Sequence, residues 1–292
     1  MRFESLSTDL QNWLKTSIEQ GHGRDALVQS MRAAGYQRNF AREAVEVALA
    51  RFAPVGDTSE TARDDPALPL DTTTILAQSP NAIETSDRRV HILFALNAPR
   101  IVLFGGLLSD EECDELIALS RRKLTRSSVV NAETGAYDVH PDRTSSGTHF
   151  ERGENELVRR IERRIAELVA CPVERGEPIQ ILHYTPGAEY KPHFDFFDPA
   201  YPGNEKVLAI GGQRVATLVM YLNDVVAGGS TVFPEVGLDV LPRKGNAVYF
   251  AYTTEDGQLD RRTLHGGSPV AEGEKWIATK WLRQRDYGDP GV

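Results

Sequence analysis

The sequence predicts an α+β protein: a double-sheet jelly roll with two helices packed on one sheet, preceded by a small three-helix unit. Three observations carry this. From about residue 179 to residue 283 apolar positions recur with a period of two, and Gly228-Gly229 and Pro242-Arg243-Lys244-Gly245 punctuate the run, as short antiparallel strands require. Two amphipathic helical patterns stand ahead of that region. Further upstream, a stretch rich in Pro, Thr, Asp and Ser sets off a segment with helical periodicity. A chain of 292 residues has room for one large domain and one small one.

Residues 1–52 read as the small helical domain. Ser7 is placed to cap a helix carrying Leu10, Trp13, Leu14 and Ile18, which Gly21-His22-Gly23 ends. Ala26, Leu27 and Met31 define a second helix that stops at Gly35, and Asn39 opens a third with Ala44, Val47 and Ala48. The pattern resembles a ubiquitin-associated-type bundle, but any small three-helix bundle would give it. A packing or dimerisation appendage and a docking module for a protein partner both stay open. Residues 53–85 read as a linker, because acidic and Pro-rich sequence with few large apolar residues cannot offset its ordering entropy.

The third domain spans 86–292. Ser109-Asp110-Glu111-Glu112 is a capping box opening a helix that runs to about Arg122, and a second helix covers roughly Asn155 to Ala170 with Leu157, Ile161, Ile165 and Leu168 on one face. Candidate strands follow at Ile179–Tyr184, Val215–Leu222, Ser230–Phe233, Ala247–Tyr252, Leu264–Val270 and Trp276–Arg283. Many short strands behind helices suit a jelly roll.

Composition narrows the function. The net charge is -9 and there is no basic stripe, which points away from nucleic acid. No apolar run is long enough to span a bilayer, and the N-terminus leads into an amphipathic segment, so a cytoplasmic protein with no membrane role is expected. Two widely separated cysteines, Cys113 and Cys171, read as buried thiols.

The chemistry sits in His193-Phe194-Asp195, followed far along the chain by His265 and then Lys275. On a strand, positions i and i+2 share a face, so His193 and Asp195 can address one ion together. Two imidazoles and a carboxylate form the facial set that suits Fe(II) while leaving positions open for O₂ and a second ligand. If Ala271-Glu272-Gly273-Glu274 closes a hairpin, Lys275 lies about five strand positions from His265, or about 16 Å at ~3.3 Å per residue. An ammonium inside a barrel is costly unless an anion meets it there. The distal carboxylate of 2-oxoglutarate is such an anion. Alternation also puts Lys275, Ile277, Thr279 and Trp281 on one face, which makes Thr279 a further candidate to touch the cofactor.

These residues resemble the prolyl 4-hydroxylases. Gln180-Ile-Leu-His-Tyr184-Thr-Pro-Gly187-Ala-Glu-Tyr190-Lys-Pro-His193-Phe-Asp195-Phe is similar to their first metal-ligand segment, and Arg214-Val-Ala-Thr-Leu-Val-Met-Tyr-Leu222 to the next strand. Gly228-Gly-Ser-Thr-Val-Phe-Pro-Glu235, Lys244-Gly245-Asn-Ala-Val, His265-Gly-Gly-Ser-Pro-Val270 and Gly273-Glu-Lys275-Trp-Ile-Ala-Thr-Lys-Trp281 follow in order. Arg143-Thr-Ser-Ser-Gly147 looks like the plant and algal members. The resemblance runs from about residue 98 to 285.

It implies a double-stranded β-helix with Fe(II) on His193, Asp195 and His265. It also implies 2-oxoglutarate on Lys275 with Tyr184 nearby, O₂ as co-substrate and ascorbate as reductant. Tyr190, Arg214, Trp281 and Arg143 then surround a proline-containing peptide or protein. Departures from the family lie at Gly266-Gly267, where members often carry a bulkier pair, and in the loop Phe197–Gly212 beside the expected peptide entrance. The expected activity is hydroxylation of a prolyl residue, at C4, with decarboxylation of 2-oxoglutarate to succinate. The alternatives are a same-fold oxygenase acting on a free amino acid or other small molecule, and a non-catalytic binding module.

Overall fold

The computed structural model describes residues 6–19, 27–28, 30–31, 36, 38–52, 81–127, 129–130, 137–138, 142–253 and 258–288. The chain divides into two units, Met1–Asp65 and Pro66–Val292. In the first, α1 (Thr8–Glu19) and α2 (Arg38–Phe52) bury Leu10, Leu14 and Ile18 against Ala41, Ala44, Val45 and Ala48. Ser7 Oγ accepts from Leu10 N at 3.4 Å, as a cap should. Trp13 departs from the expected apolar set and is 37% exposed. Most of the expected middle helix, and residues 53–80 of the expected linker, lie outside the described residues. No helix among the described residues is long and apolar enough to cross a membrane.

The second unit is built on strands β1 (Ala82–Glu84), β2 (Arg89–Leu96), β3 (Ile101–Gly105), β4 (Thr125–Arg126), β5 (Val129–Val130), β6 (Tyr137–Asp138), β7 (Ser146–Phe150), β8 (Ile179–Tyr184) and β9 (Tyr190–His193). They continue with β10 (Arg214–Tyr221), β11 (Ala227–Gly228), β12 (Thr231–Phe233), β13 (Leu238–Val240), β14 (Ala247–Ala251), β15 (His265–Gly267), β16 (Val270–Glu272) and β17 (Lys275–Arg283). A nine-stranded sheet has the order β1-β2-β3-β14-β10-β17-β8-β7-β4, and a four-stranded sheet has the order β13-β12-β15-β9. β1 falls inside the segment read as linker; a three-residue strand with only Ala82 fully buried shows no periodicity to read.

α3 (Asp110–Ser120) and α4 (Glu156–Leu168) cover one face of the large sheet. The predicted capping box forms between Ser109 and Glu112, and at the start of α4 Asn155 Oδ1 accepts from Val158 N at 2.9 Å. Leu116, Ile117, Leu157, Ile161 and Ile165 pack on Ile179, Ile181, Ala216, Leu218, Met220, Trp276 and Ala278. Each such side chain taken from water stabilises by about 1.5–3 kcal/mol. Alternate positions of the same strands (Leu182, Tyr184, Val219, Tyr221 and Ile277) face inward, where Phe233 and Val240 meet them from the small sheet.

One strand and one hairpin differ from expectation. The stretch Leu264–Val270 is split at Ser268-Pro269, because Pro269 has no N–H to continue a ladder. β15 stays in the small sheet, β16 pairs with β11, and β17 joins β8 and β10 in the large sheet. His265 and Lys275 are therefore not on one hairpin. They stand on opposite walls.

Candidate active site

Two antiparallel registers assemble the site. In the small sheet His265 pairs directly with His193. Opposed residues project side by side on one face, which brings together two histidines that are distant in sequence. Their ring centroids are 4.5 Å apart. Each donates from Nδ1 to the carbonyl two residues upstream: His193 to Lys191 O at 2.8 Å, His265 to Thr263 O at 3.0 Å. That bond fixes the tautomer and leaves Nε2 with its lone pair free for a metal.

Asp195 lies two residues past the end of β9, where the chain bends, so it reaches the histidines from just outside the strand, and Phe194 stacks on Phe196. Asp195 Oδ1 lies 3.6 Å from His193 Nε2, and Oδ2 lies 3.4 Å from His265 Nε2. The three ligand atoms all fall within 4.8 Å of one another.

The electrostatics suit a divalent cation. Burial alone would raise the Asp195 carboxyl, but the facing His265 and then His193 outweigh it and hold it well below the ordinary range. Burial, then the neighbouring His265, pushes the His193 imidazole down, so it is neutral at physiological pH. An ionised carboxylate between imidazole lone pairs, with no thiolate, is a donor set that fits Fe(II). Thr217 Oγ1 donates to Asp195 Oδ2 at 2.7 Å, and Tyr252 OH does so at 3.2 Å.

Across the cavity, Lys275 pairs in register with Tyr184. It is only 2% exposed, and burial pushes its ammonium down to about 7. No ion pair or hydrogen bond from its Nζ appears among the described residues. Its charge rests only over the Tyr184 ring, 5.4 Å from the centroid. A buried ammonium of this kind calls for an anion, and a 2-oxoglutarate carboxylate fits that need. A Cβ built at Gly267 would stand 3.7 Å from that Nζ, so the bare glycine keeps the space open. Thr279, 4% exposed, lines the same wall with Ile277. The cavity measures about 1250 Å³ and is open to solvent.

The expected substrate contacts all line this cavity, though not all are at liberty to bind. Tyr190 stacks on His193 with centroids 3.6 Å apart, and Arg143 lies over the Tyr190 ring at 4.9 Å while donating to Gln180 Oε1 at 2.7 Å. Arg214 differs from its expected role. Its Nε and Nη2 grip Glu177 at 2.7 and 2.9 Å, its Nη1 donates to Asp195 O at 3.3 Å, and its plane stacks on Trp281 at 3.9 Å. Most of its donors serve the protein itself.

Sequence reasoning missed Glu177, Thr217 and Tyr252. Thr217 and Tyr252 carried a faint signal, as polar side chains in otherwise apolar buried strands. Glu177, just ahead of β8, carried none.

Comparison with known proteins agrees with this geometry. The family model described as the 2OG-Fe(II) oxygenase superfamily matches residues 179–283. Prolyl 4-hydroxylase 5 of Arabidopsis thaliana is 41% identical over 208 residues, covering 65% of this chain and 70% of that protein. Prolyl 4-hydroxylase 1 of the same plant is 45% identical over 204 residues, covering 64% and 70%. Among solved structures, the viral collagen prolyl hydroxylase of Paramecium Bursaria Chlorella virus-1 in its 2OG complex is 31% identical, with a TM-score of 0.49, covering 63% of this chain and 95% of that one.

Proposed function

Because the chain belongs to the prolyl 4-hydroxylase family of 2OG-Fe(II) oxygenases, we propose that it hydroxylates prolyl residues of a peptide or protein at C4. The single observation that carries the catalytic reading is the buried Lys275, without an anionic partner among the described residues, facing the His193, Asp195 and His265 cluster across an open cleft. The names of its relatives support the choice of proline and of C4.

Bound Fe(II) and 2-oxoglutarate supply the oxidising power: O₂ is consumed, 2-oxoglutarate is decarboxylated to succinate, and one oxygen atom enters a substrate C–H bond. The protein's part is to orient and to shield. Lys275 neutralises the distal carboxylate of 2-oxoglutarate, and Tyr184 shapes the pocket around it. Asp195 stays ionised with its Oδ2 held by two hydroxyls, so the ion meets a fixed acceptor. Tyr190 and Trp281 offer flat apolar faces that hold a proline ring without demanding hydrogen bonds. The indole Nε1 of Trp281 is buried and has no acceptor among the described residues, so the indole meets substrate through its ring and not through that N–H. In this reading Arg214 positions Asp195 and Trp281 and does not itself grip the peptide. Ascorbate serves as the reductant that keeps the metal ferrous.

The test is Fe(II)-dependent succinate formation from 2-oxoglutarate with proline-rich peptides, read together with the gain of one oxygen by mass and the position of the hydroxyl by fragmentation or NMR. Coupled oxygen gain at C4 supports the proposal. Turnover on a free amino acid, with none on any proline peptide, overturns it.

A further inference from the structure

The entrance segment 197–212 is held to the metal site by a buried chain of charge-assisted hydrogen bonds centred on Arg283. Its side chain is fully shielded from solvent at the end of β17. Nη2 donates to Val207 O at 2.6 Å and also to Ile210 O, the closing carbonyls of α5 (Asn204–Ala209). Nη1 donates to Glu177 Oε1 at 3.2 Å. Glu177 in turn grips Arg214, which donates to the backbone carbonyl of Asp195. The Arg283 guanidinium also lies over Phe197 and Tyr287, at 5.3 and 5.5 Å from their centroids.

The segment beyond α5 is seated closely on the same strand end. Gly211 has φ +77, and a Cβ there would lie 3.3 Å from Asp286 O and 3.4 Å from Arg283 Cβ. Arg285 N donates to Gly211 O at 2.8 Å, and Gln213 clamps Phe197 through both its amide atoms. Phe197, Tyr201 and Asn204 from this segment line the cleft.

We propose that Arg283 is a positioning residue that fixes the 197–212 segment as a standing wall of the substrate cleft, so that this chain selects an extended peptide by holding its groove open. The proposal rests on the prolyl-peptide reading and deepens it. A charged fork that satisfies two helix-end carbonyls and a buried carboxylate at once is lost to any other side chain: lysine has one nitrogen to offer three acceptors.

Arg283→Lys and Arg283→Gln should raise KM for an oligoproline substrate by roughly tenfold, the loss of about one well-made contact set. KM for 2-oxoglutarate should rise less than KM for the peptide. Hydrogen exchange of amides 204–212 should quicken in the variants. In the wild type the same amides should exchange slowly and equally with and without oligoproline. The wild-type measurement needs no variant to fold, and the exchange comparison needs no peptide turnover, so failure of the peptide reading is told apart from failure of this one. Unchanged exchange in folded variants, a rise in KM for 2-oxoglutarate equal to that for peptide, or wild-type protection that appears only on adding oligoproline would each overturn the proposal.

Discussion

Replacing Lys275 with methionine should stabilise the protein without ligand and cripple 2-oxoglutarate binding. Burial lowers the ammonium from its ordinary 10.5 to about 7. At 1.36 kcal/mol per unit, that difference amounts to about 5 kcal/mol. This is an upper bound, since the open cleft lets water reach Nζ. A lysine whose pKa falls on folding binds more protons unfolded than folded between about 7 and 10.5, so stability climbs as pH rises through that window. The penalty is full below about pH 7 and gone above 10.5. Lys275→Met removes it, so the variant should gain stability over wild type near neutral pH, and the gap should close toward alkaline pH.

2-Oxoglutarate restores the proton. Above about pH 7 its binding must take one up, and affinity should fall by as much as ~tenfold per pH unit. In the variant, affinity should drop by at least ~30-fold, the lower end for losing one partner of a buried charge pair. Denaturant unfolding of both proteins from about pH 6 to about pH 9 reads the first effect. Calorimetric titration with Mn(II) in place of Fe(II), in two buffers of different ionisation enthalpy, reads the second. A stability difference that is flat with pH, or 2-oxoglutarate affinity that survives the substitution, would refute the reasoning.

Other residues give independent tests. Burial would raise the Glu112 carboxyl, but hydrogen bonds from Arg164, the Ser109 backbone and Arg160 bring it down to about 2. Its stabilisation is present above about 4.5 and lost as pH falls toward about 2; Glu112→Gln should cost about 3–5 kcal/mol at pH 7 by leaving Arg164 underpaired, seen as a lower Tm with KM values unchanged. A Cβ at Gly266 would meet Tyr190 O at 2.9 Å, a backbone atom that cannot yield, so Gly266→Ala should part β15 from β9 at a cost of about 1–3 kcal/mol. Because His265 and His193 are held together by that pairing, Co(II) titration should show weakened metal binding.

How far the sequence reveals this molecule depends on how local each determinant is. The Ser109 capping box, the α4 stripe and the alternation of Lys275, Ile277, Thr279 and Trp281 were legible because each is set within a turn or a strand. The His265–Lys275 hairpin was misread because pairing partners are chosen by the whole sheet: β17 finds β8 and β10, and Pro269 breaks the ladder that would have kept it beside β15. Glu177 was invisible for the same reason. Its role exists only once β8, β10 and β17 bring Arg214 and Arg283 to one point.

That pairing carries one more consequence. The two histidines of the candidate ion site belong to β9 and β15, while Lys275 belongs to β17, so a 2-oxoglutarate held by both would span from one sheet to the other. Packed sheets lie about 10 Å apart, and an imidazole reaching from one and a lysine stem from the other leave a gap of small-diacid size. Two registers set this gap, His265 against His193 and Lys275 against Tyr184, and the turn between β16 and β17 sets neither. Inserting one glycine after Gly273 should therefore lengthen the turn while both registers hold, leaving metal and 2-oxoglutarate affinities within about twofold, a few tenths of a kcal/mol. Loss of 2-oxoglutarate affinity with metal binding intact would show instead that the turn, and not the two ladders, holds the ammonium at its working distance.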